Sequence, residues 1–275
     1  MNKTKIRFWG CRGSFPTPDK NKMIYGGDTS CVEIKTSDNQ AIILDMGTGL
    51  KKLGDKIIND NTYPNEINIF LSHYHLDHIM GFLMFAPLFN EQYKINIYSR
   101  SSNNKGCKNV FKALLQPEIW PFNLDMLTAD VAFKELNDDD IIINNNTKIT
   151  NLLHPHPNSA FSISIFTNDK KITYVTDCEH PKDRLNMNVV EFSKNSDILI
   201  HDAQYTPEDL ITHTGWGHSS WKNAVDVAIQ SNSKKLILYH HSPDYTDNDL
   251  KDIEKKAGLD FSDVIAAKQD LEIEI

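Results

Sequence analysis

No run of about 18 apolar residues, the length a helix needs to cross a membrane, occurs in this 275-residue chain. Residues 1–7 carry charge with no apolar segment behind them, so no secretory leader is expected. The 4 cysteines, Cys11, Cys31, Cys107 and Cys178, form no C-x-x-C pair. They are expected to be reduced and half-buried, which excludes a disulfide scaffold and points to the cytoplasm. Positive charge is in deficit too: 29 Lys and Arg against 37 Asp and Glu, a formal net charge of −8. Affinity for long nucleic acids depends on Lys and Arg neutralising phosphates, so this balance argues against a large RNA or DNA ligand. A small phosphoester remains compatible with it, and the charge aids solubility in either case. With 40% hydrophobic residues and no low-complexity linker, residues 1–275 read as one domain with a sizeable core.

What the chain does have is a concentration of imidazole. His73, His75, Asp77 and His78 fall in H-x-H-x-D-H spacing, separated only by Ser72 from residues 67–71, INIFL. That run alternates apolar and polar and is rich in β-branched residues, which predicts a strand with the cluster in the loop at its end. A loop of this kind can turn all four side chains towards one pocket. Neutral imidazoles with a carboxylate suit zinc, manganese or iron.

Elsewhere, residues 6–10, 31–36 and 41–45 read as strands, the last ending in Asp45 before Met46-Gly47-Thr48-Gly49. Asp45 is placed to orient a metal-bound histidine from behind. Residues 81–89 are apolar throughout and predict a buried helix with Pro87 at a kink. Residues 101–106 read as a loop, 109–115 as a short helix and 116–122 as an extended aromatic segment, for which packing or a dimer contact is favoured over a lid. Strands return at 141–144, 148–153, 161–166 and 171–176, with 137–140 as a solvated turn. Residues 197–201 form a strand leading to Asp202. Ser219-Ser220 caps a helix with Trp221, Ala224, Val225, Ala228 and Ile229 on one face. Residues 235–239 are a further strand, 248–257 a polar helix and 271–275 an edge strand. The second half repeats the layout of the first without recognisable identity.

Polar residues recur where these strands stop: His154 and His156, Asp177 beside Cys178, and His240 and His241. Ligands gather at strand ends in layered α/β proteins, because loops converge there while the core stays apolar. Added to His73, His75, Asp77 and His78, these residues are enough for two metals sharing a carboxylate.

The stretches His-Tyr-His-Leu-Asp-His at 73–78, His156-Pro157, Tyr174-Val175-Thr176-Asp177 and Leu238-Tyr239-His240 resemble the metallo-β-lactamase-fold hydrolases. The resemblance covers nearly the whole chain. It is greatest to the phosphodiesterase branch, with ribonuclease Z and cyclic nucleotide phosphodiesterases, through residues 13–18, 25–31, 202–205 and 215–219. It implies a four-layer αββα sandwich holding two divalent ions, Zn²⁺ first and Mn²⁺ or Fe²⁺ as alternatives. By position, His73, His75 and His156 would hold one ion, Asp77, His78 and His240 the other, with Asp177 bridging. His156 is preferred to His154 for its His-Pro-small-small run. His240 is preferred to His241 because it follows the strand directly, and Asp177 to Cys178 because this branch uses Asp.

The implied activity is hydrolysis of a small phosphodiester, a cyclic nucleotide first, by a hydroxide shared between the ions and oriented by Asp77. Two divalent ions, less two carboxylates and that hydroxide, leave one positive charge for a singly negative ester. His218 is the candidate acid for the leaving alkoxide. Its place ahead of a helix N-terminus disfavours imidazolium unless a phosphate or carboxylate offsets the dipole. Asp202 stands behind the site as Asp45 does. His180, His201 and His213 read as structural or rim residues. The alternatives are a ribonuclease Z-like RNA 3′-processing endonuclease, although no basic tRNA-gripping arm is found, and an ester, lactone or thioester hydrolase. Asp28, where relatives often carry Asn, adds negative charge near the loops. A homodimer is expected from the same resemblance.

Overall fold

The computed structural model describes residues 3–100, 106–137, 140–168 and 170–275. The readings of 101–106 as a loop and 137–140 as a turn fall largely outside these residues. Two compact units emerge: Met1–Gly10 with Asp28–Asn137 and Asp270–Ile275, and Cys11–Gly27 with Asp138–Gln269. Each carries one mixed seven-stranded sheet with flanking helices.

The first sheet contains β1 (Lys5–Gly10), β2 (Cys31–Lys35), β3 (Ala41–Leu44), β4 (Glu66–Phe70), β5 (Lys94–Ser99) and β6 (Asp130–Glu135). The second contains β7 (Ile141–Asn144), β8 (Thr147–His154), β9 (Ala160–Thr167), β10 (Lys170–Val175), β11 (Ile198–Asp202), β12 (Leu236–Tyr239) and β13 (Val264–Ala266). The last strand, β14 (Glu272–Glu274), joins the edge of the first sheet beside β1.

Strand order is β14-β1-β2-β3-β4-β5-β6 in the first sheet and β13-β12-β11-β10-β9-β8-β7 in the second. In the first, β3 to β6 run parallel and the rest antiparallel. In the second, β10 to β13 run parallel, and β8 shares their direction because it is antiparallel to β9, itself antiparallel to β10. The carboxyl ends of β3 and β4 therefore lie at one edge of their sheet, and those of β8, β10, β11 and β12 at one edge of theirs. The predicted ligands follow these ends. Parallel strands in α/β sheets collect ligands there because their connecting loops are free to converge.

The helices are α1 (Leu50–Asn59), α2 (Leu76–Ile79), α3 (Cys107–Leu114), α4 (Met187–Phe192), α5 (Pro207–Thr212), α6 (Trp221–Gln230) and α7 (Asp247–Asp260). The sequence reading passed over α1, whose lysines mask the spacing of its buried Leu50, Leu53, Gly54 and Ile57. That spacing is one helical stripe. In α6, Ser220 and Asn223 form a reciprocal cap, and the buried face is Ala224, Val225, Val227 and Ala228. Ile229, expected on that face, is half-exposed.

Residues 81–89 do not form one buried helix. They make two 3-10 turns, Met80–Met84 and Ala86–Phe89, parted at Phe85, whose ψ of 97° is extended. Pro87 has no N–H to give the preceding turn, so the helix cannot run through. Phe82, Phe85 and Leu88 enter the first unit's core while Met84 and Phe89 are exposed. The 116–122 segment is a turn, with the N–H groups of Ile119 and Trp120 both donating to the Gln116 carbonyl at 2.8 Å. Trp120 and Phe122 pack against that same core. All four cysteines are free and fully buried, deeper than the half-burial expected. Among the described residues, no helix is long and apolar enough to cross a membrane.

Candidate metal centre

In the first unit the His-rich loop leaves β4 and enters α2, with His75 at the cap position and Asp77 and His78 in the turn. Asp45, just past β3, organises it. Its buried carboxylate accepts from the Ser72 N–H at 2.7 Å and from the Ser72 hydroxyl at 2.8 Å. It also faces His78 Nδ1 at 2.8 Å. A carboxylate only accepts, so the proton sits on Nδ1, and Nε2 of His78 keeps its lone pair. That Nε2 lies 3.2 Å from Asp77 Oδ2. The His73 ring is 4.5 Å from that of His75 and 4.3 Å from that of His78. Asp45 thus sits directly against His78, and within the one loop His73 neighbours both His75 and His78. Asp28 accepts from the Thr48 hydroxyl and pairs with Lys52 at 3.1 Å, which offsets the charge it adds.

In the second unit Asp177 is the centre. It is 1% exposed, and three imidazoles face it. His240 Nε2 is 3.3 Å from Oδ2, while His156 Nε2 and His218 Nδ1 are each 3.8 Å from Oδ1. The ligand atoms of Asp177, His218 and His240 all lie within 4.8 Å of one another. His156 donates through Nδ1 to the Gly217 carbonyl at 2.9 Å, which leaves its Nε2 turned to Asp177. Asp202 accepts from His218 Nδ1 at 2.9 Å and from the backbone N–H groups of Gln204 and Ser219 at 3.0 and 3.1 Å. Burial pushes the Asp202 carboxyl up, His218 and His240 pull it down, and the balance falls below the ordinary carboxylate value. Asp202 is thus a carboxylate directly against His218, just ahead of α6.

Three of the predicted residues share a backbone feature. Asp45, Asp177 and His240 have φ of 61°, 51° and 60°, each at a strand's carboxyl end. Left-handed backbone is uncommon for residues other than glycine, and it clusters at functional sites. Here it breaks the alternation of the strand and swings the side chain out over the sheet edge.

The neighbouring residues have surroundings of their own. His241 Nε2 donates to the Ala267 carbonyl at 2.9 Å, beside the buried Arg12. His154 is buried with neither ring nitrogen hydrogen-bonded. The Cys178 thiol lies in the second unit's apolar core, and burial pushes its pKa well up. His180 stacks on His201, and His213 on Tyr205 with ring centroids 4.4 Å apart. Two contributors were missed from sequence: the Ser72 hydroxyl against Asp45, and the Gly217 carbonyl against His156. The second had a signal, since Gly215 and Gly217 bracket Trp216 just ahead of His218.

Residues 57–241 match the model of the Beta-lactamase superfamily domain. The chain belongs to that family. The ribonuclease Z of Archaeoglobus fulgidus is 25% identical to it, over 98% of this chain and 97% of that one. Among solved structures, the metallo-β-lactamase fold protein YhfI from Bacillus subtilis is 22% identical, covers 100% of both chains and has a TM-score of 0.73. A diphosphatase from the PhnP family is 17% identical over 99% of this chain and 97% of that one, with a TM-score of 0.71. The first of these places the two sheets and their helices in the metallo-β-lactamase fold. As a member of this superfamily the protein is a metal-dependent hydrolase, and its His/Asp clusters are consistent with a binuclear metal site. The donors fit: imidazole and carboxylate suit zinc, manganese or iron. Asp177 is buried, and an ionised carboxylate in such a place needs compensating positive charge.

Burial has a cost at low pH. It lowers His154 to about 4, and His180 and His241 to about 3. Their unfolded values lie near ~6.5, so below that pH the unfolded chain takes up protons that the folded chain refuses. Stability should therefore fall as pH drops from ~6.5 towards ~4, and these groups add no slope above ~7. Each contributes about 1 kcal/mol per pH unit within the window. Urea unfolding of metal-stripped protein at pH 5 and pH 7 measures the slope, and His180→Gln should reduce it. An identical midpoint at both pH values would contradict this account.

Proposed function

We propose that the protein is a two-metal phosphodiesterase acting on a small phosphodiester, with a cyclic nucleotide as the preferred class. The observation that carries the reading is the buried Asp177 carboxylate, with three imidazoles from three separate loops turned upon it. In this reading His73, His75 and His156 hold one ion, Asp77, His78 and His240 the other, and Asp177 is shared. Such a pair supplies Lewis acidity and lowers the pKa of water, which suits in-line displacement at phosphorus.

The remaining work falls to side chains. Asp45 holds His78 with Nε2 presented, and the Gly217 carbonyl does the same for His156. Asp77 orients the attacking oxygen. His218, its Nδ1–H held by Asp202, gives a proton from Nε2 to the departing alkoxide. Asp202 stabilises the imidazolium form that this transfer needs. The net charge of −8 supports a small substrate over a polyanion. Four free buried cysteines support a reducing compartment, the cytoplasm. The homodimer implied by the family resemblance belongs to the same proposal.

Protein given Mn²⁺ or Zn²⁺ should hydrolyse bis-p-nitrophenyl phosphate and at least one cyclic nucleotide. Inertness towards both would end the proposal. A second reading, RNA 3′-processing, is favoured by the full-length match to ribonuclease Z. It requires cleavage of a tRNA precursor, with binding that weakens steeply as salt rises.

A further inference from the structure

We propose that Glu179 is a positioning residue that sets the tautomer of His156 through the backbone of the 215–217 loop. This rests on the reading of His156 as a metal ligand.

Glu179 lies two residues beyond Asp177, and its two carboxylate oxygens are divided between two backbone amides. Oε1 accepts from the Gly215 N–H at 2.7 Å and Oε2 from the Gly217 N–H at 2.7 Å. Hydrogen bonds to an ionised acceptor are roughly twice as strong as neutral ones, so this is a firm clamp. The carbonyl of the clamped Gly217 is the group facing His156 Nδ1 at 2.9 Å. A carbonyl cannot donate, so the ring carries its proton on Nδ1, and the Nε2 lone pair is directed towards Asp177.

The loop's other ties run back to α5, through the Trp216 N–H to the His213 carbonyl at 3.1 Å and the Trp216 ring against His213, and none of them holds the Gly217 amide. Gly215 and Gly217 have φ of 88° and 92°, a region open to glycine and to little else. Trp216 between them is 60% exposed. Closeness to the ring is also exacting, since a Cβ on Gly217 would lie 2.0 Å from His156 Nδ1. With the clamp gone, two glycines with this much freedom need not return their carbonyl to the same place, and the imidazole loses the acceptor that selects its tautomer.

The test uses Glu179→Ala and Glu179→Gln beside the unaltered protein. Gln keeps one acceptor and turns an amide N–H₂ towards the other backbone N–H. Long-range ¹⁵N–¹H correlation spectra of the metal-free proteins report the His156 tautomer, assigned by its absence in His156→Asn. Competition with a chromophoric chelator reports zinc affinity. The unaltered protein should show His156 as the Nδ1–H form. Glu179→Ala should show a mixture or the Nε2–H form, with zinc affinity lowered about 10–100-fold. Glu179→Gln should fall between, and it gives the same two readings if the alanine protein does not fold. A His156 signal unchanged in both variants, with zinc affinity within about twofold of the original, would overturn the proposal even if thermal stability dropped. If the unaltered protein takes up no metal, the functional reading fails, while the spectra of the metal-free proteins still decide the role of Glu179.

Discussion

An Asp177→Ala protein is expected to fold, to carry less metal and to hydrolyse bis-p-nitrophenyl phosphate no faster than the background reaction. Asp177 is the carboxylate that His156, His218 and His240 face at 3.3 to 3.8 Å. Without it, positive charge placed among three imidazoles has lost its closest compensation, and in the proposed two-metal site the pair of ions would lose its shared ligand. Asp77→Ala, in the loop after β4, should lose activity and metal in the same way. Elemental analysis of the purified variants, with circular dichroism to establish folding, is the measurement. An Asp177→Ala protein with a full metal complement would show that the centre is built on other residues.

His218→Ala should behave differently. Metal content is expected to stay at the original level while turnover falls, by about 10²–10⁴-fold, on a substrate with a poor alkoxide leaving group. On p-nitrophenyl esters, whose leaving group departs without a proton, the loss should be much smaller. The contrast between the two substrates isolates proton donation from any general damage. His218 Nδ1 is engaged by Asp202 at 2.9 Å, so only Nε2 is available for the transfer. Equal losses on both leaving groups, accompanied by loss of metal, would move His218 into the ligand set with Asp177 and His240, which its spacing permits.

Local chemistry was the readable part of this chain. Strand ends were placed to within a residue or two because alternation and β-branching stop where the polar residues begin, as at β4, β10 and β12. The H-x-H-x-D-H loop was legible because all its members sit on one turn of chain. Less visible were α1, whose apolar stripe is interleaved with lysines, and β5 and β6, which lie beside a segment without clear periodicity. Residues 81–89 misled because apolar composition alone does not distinguish a helix from two 3-10 turns around a proline.

The choice between neighbouring histidines belongs to the second kind of information. His154 and His156, or His240 and His241, are equivalent as residue types, and spacing does not separate them. What differs between them in the fold is a left-handed φ at His240, a hydrogen bond from His241 to Ala267, and a burial that lowers the pKa of His154. From residues alone came the donor types, the strands that carry them and the class of chemistry, since each depends on neighbours in the chain. The aim of each ring, and the backbone carbonyl or carboxylate that holds it, were decided only by tertiary structure, because His156 meets Gly217 and His78 meets Asp45 across dozens of residues of intervening chain.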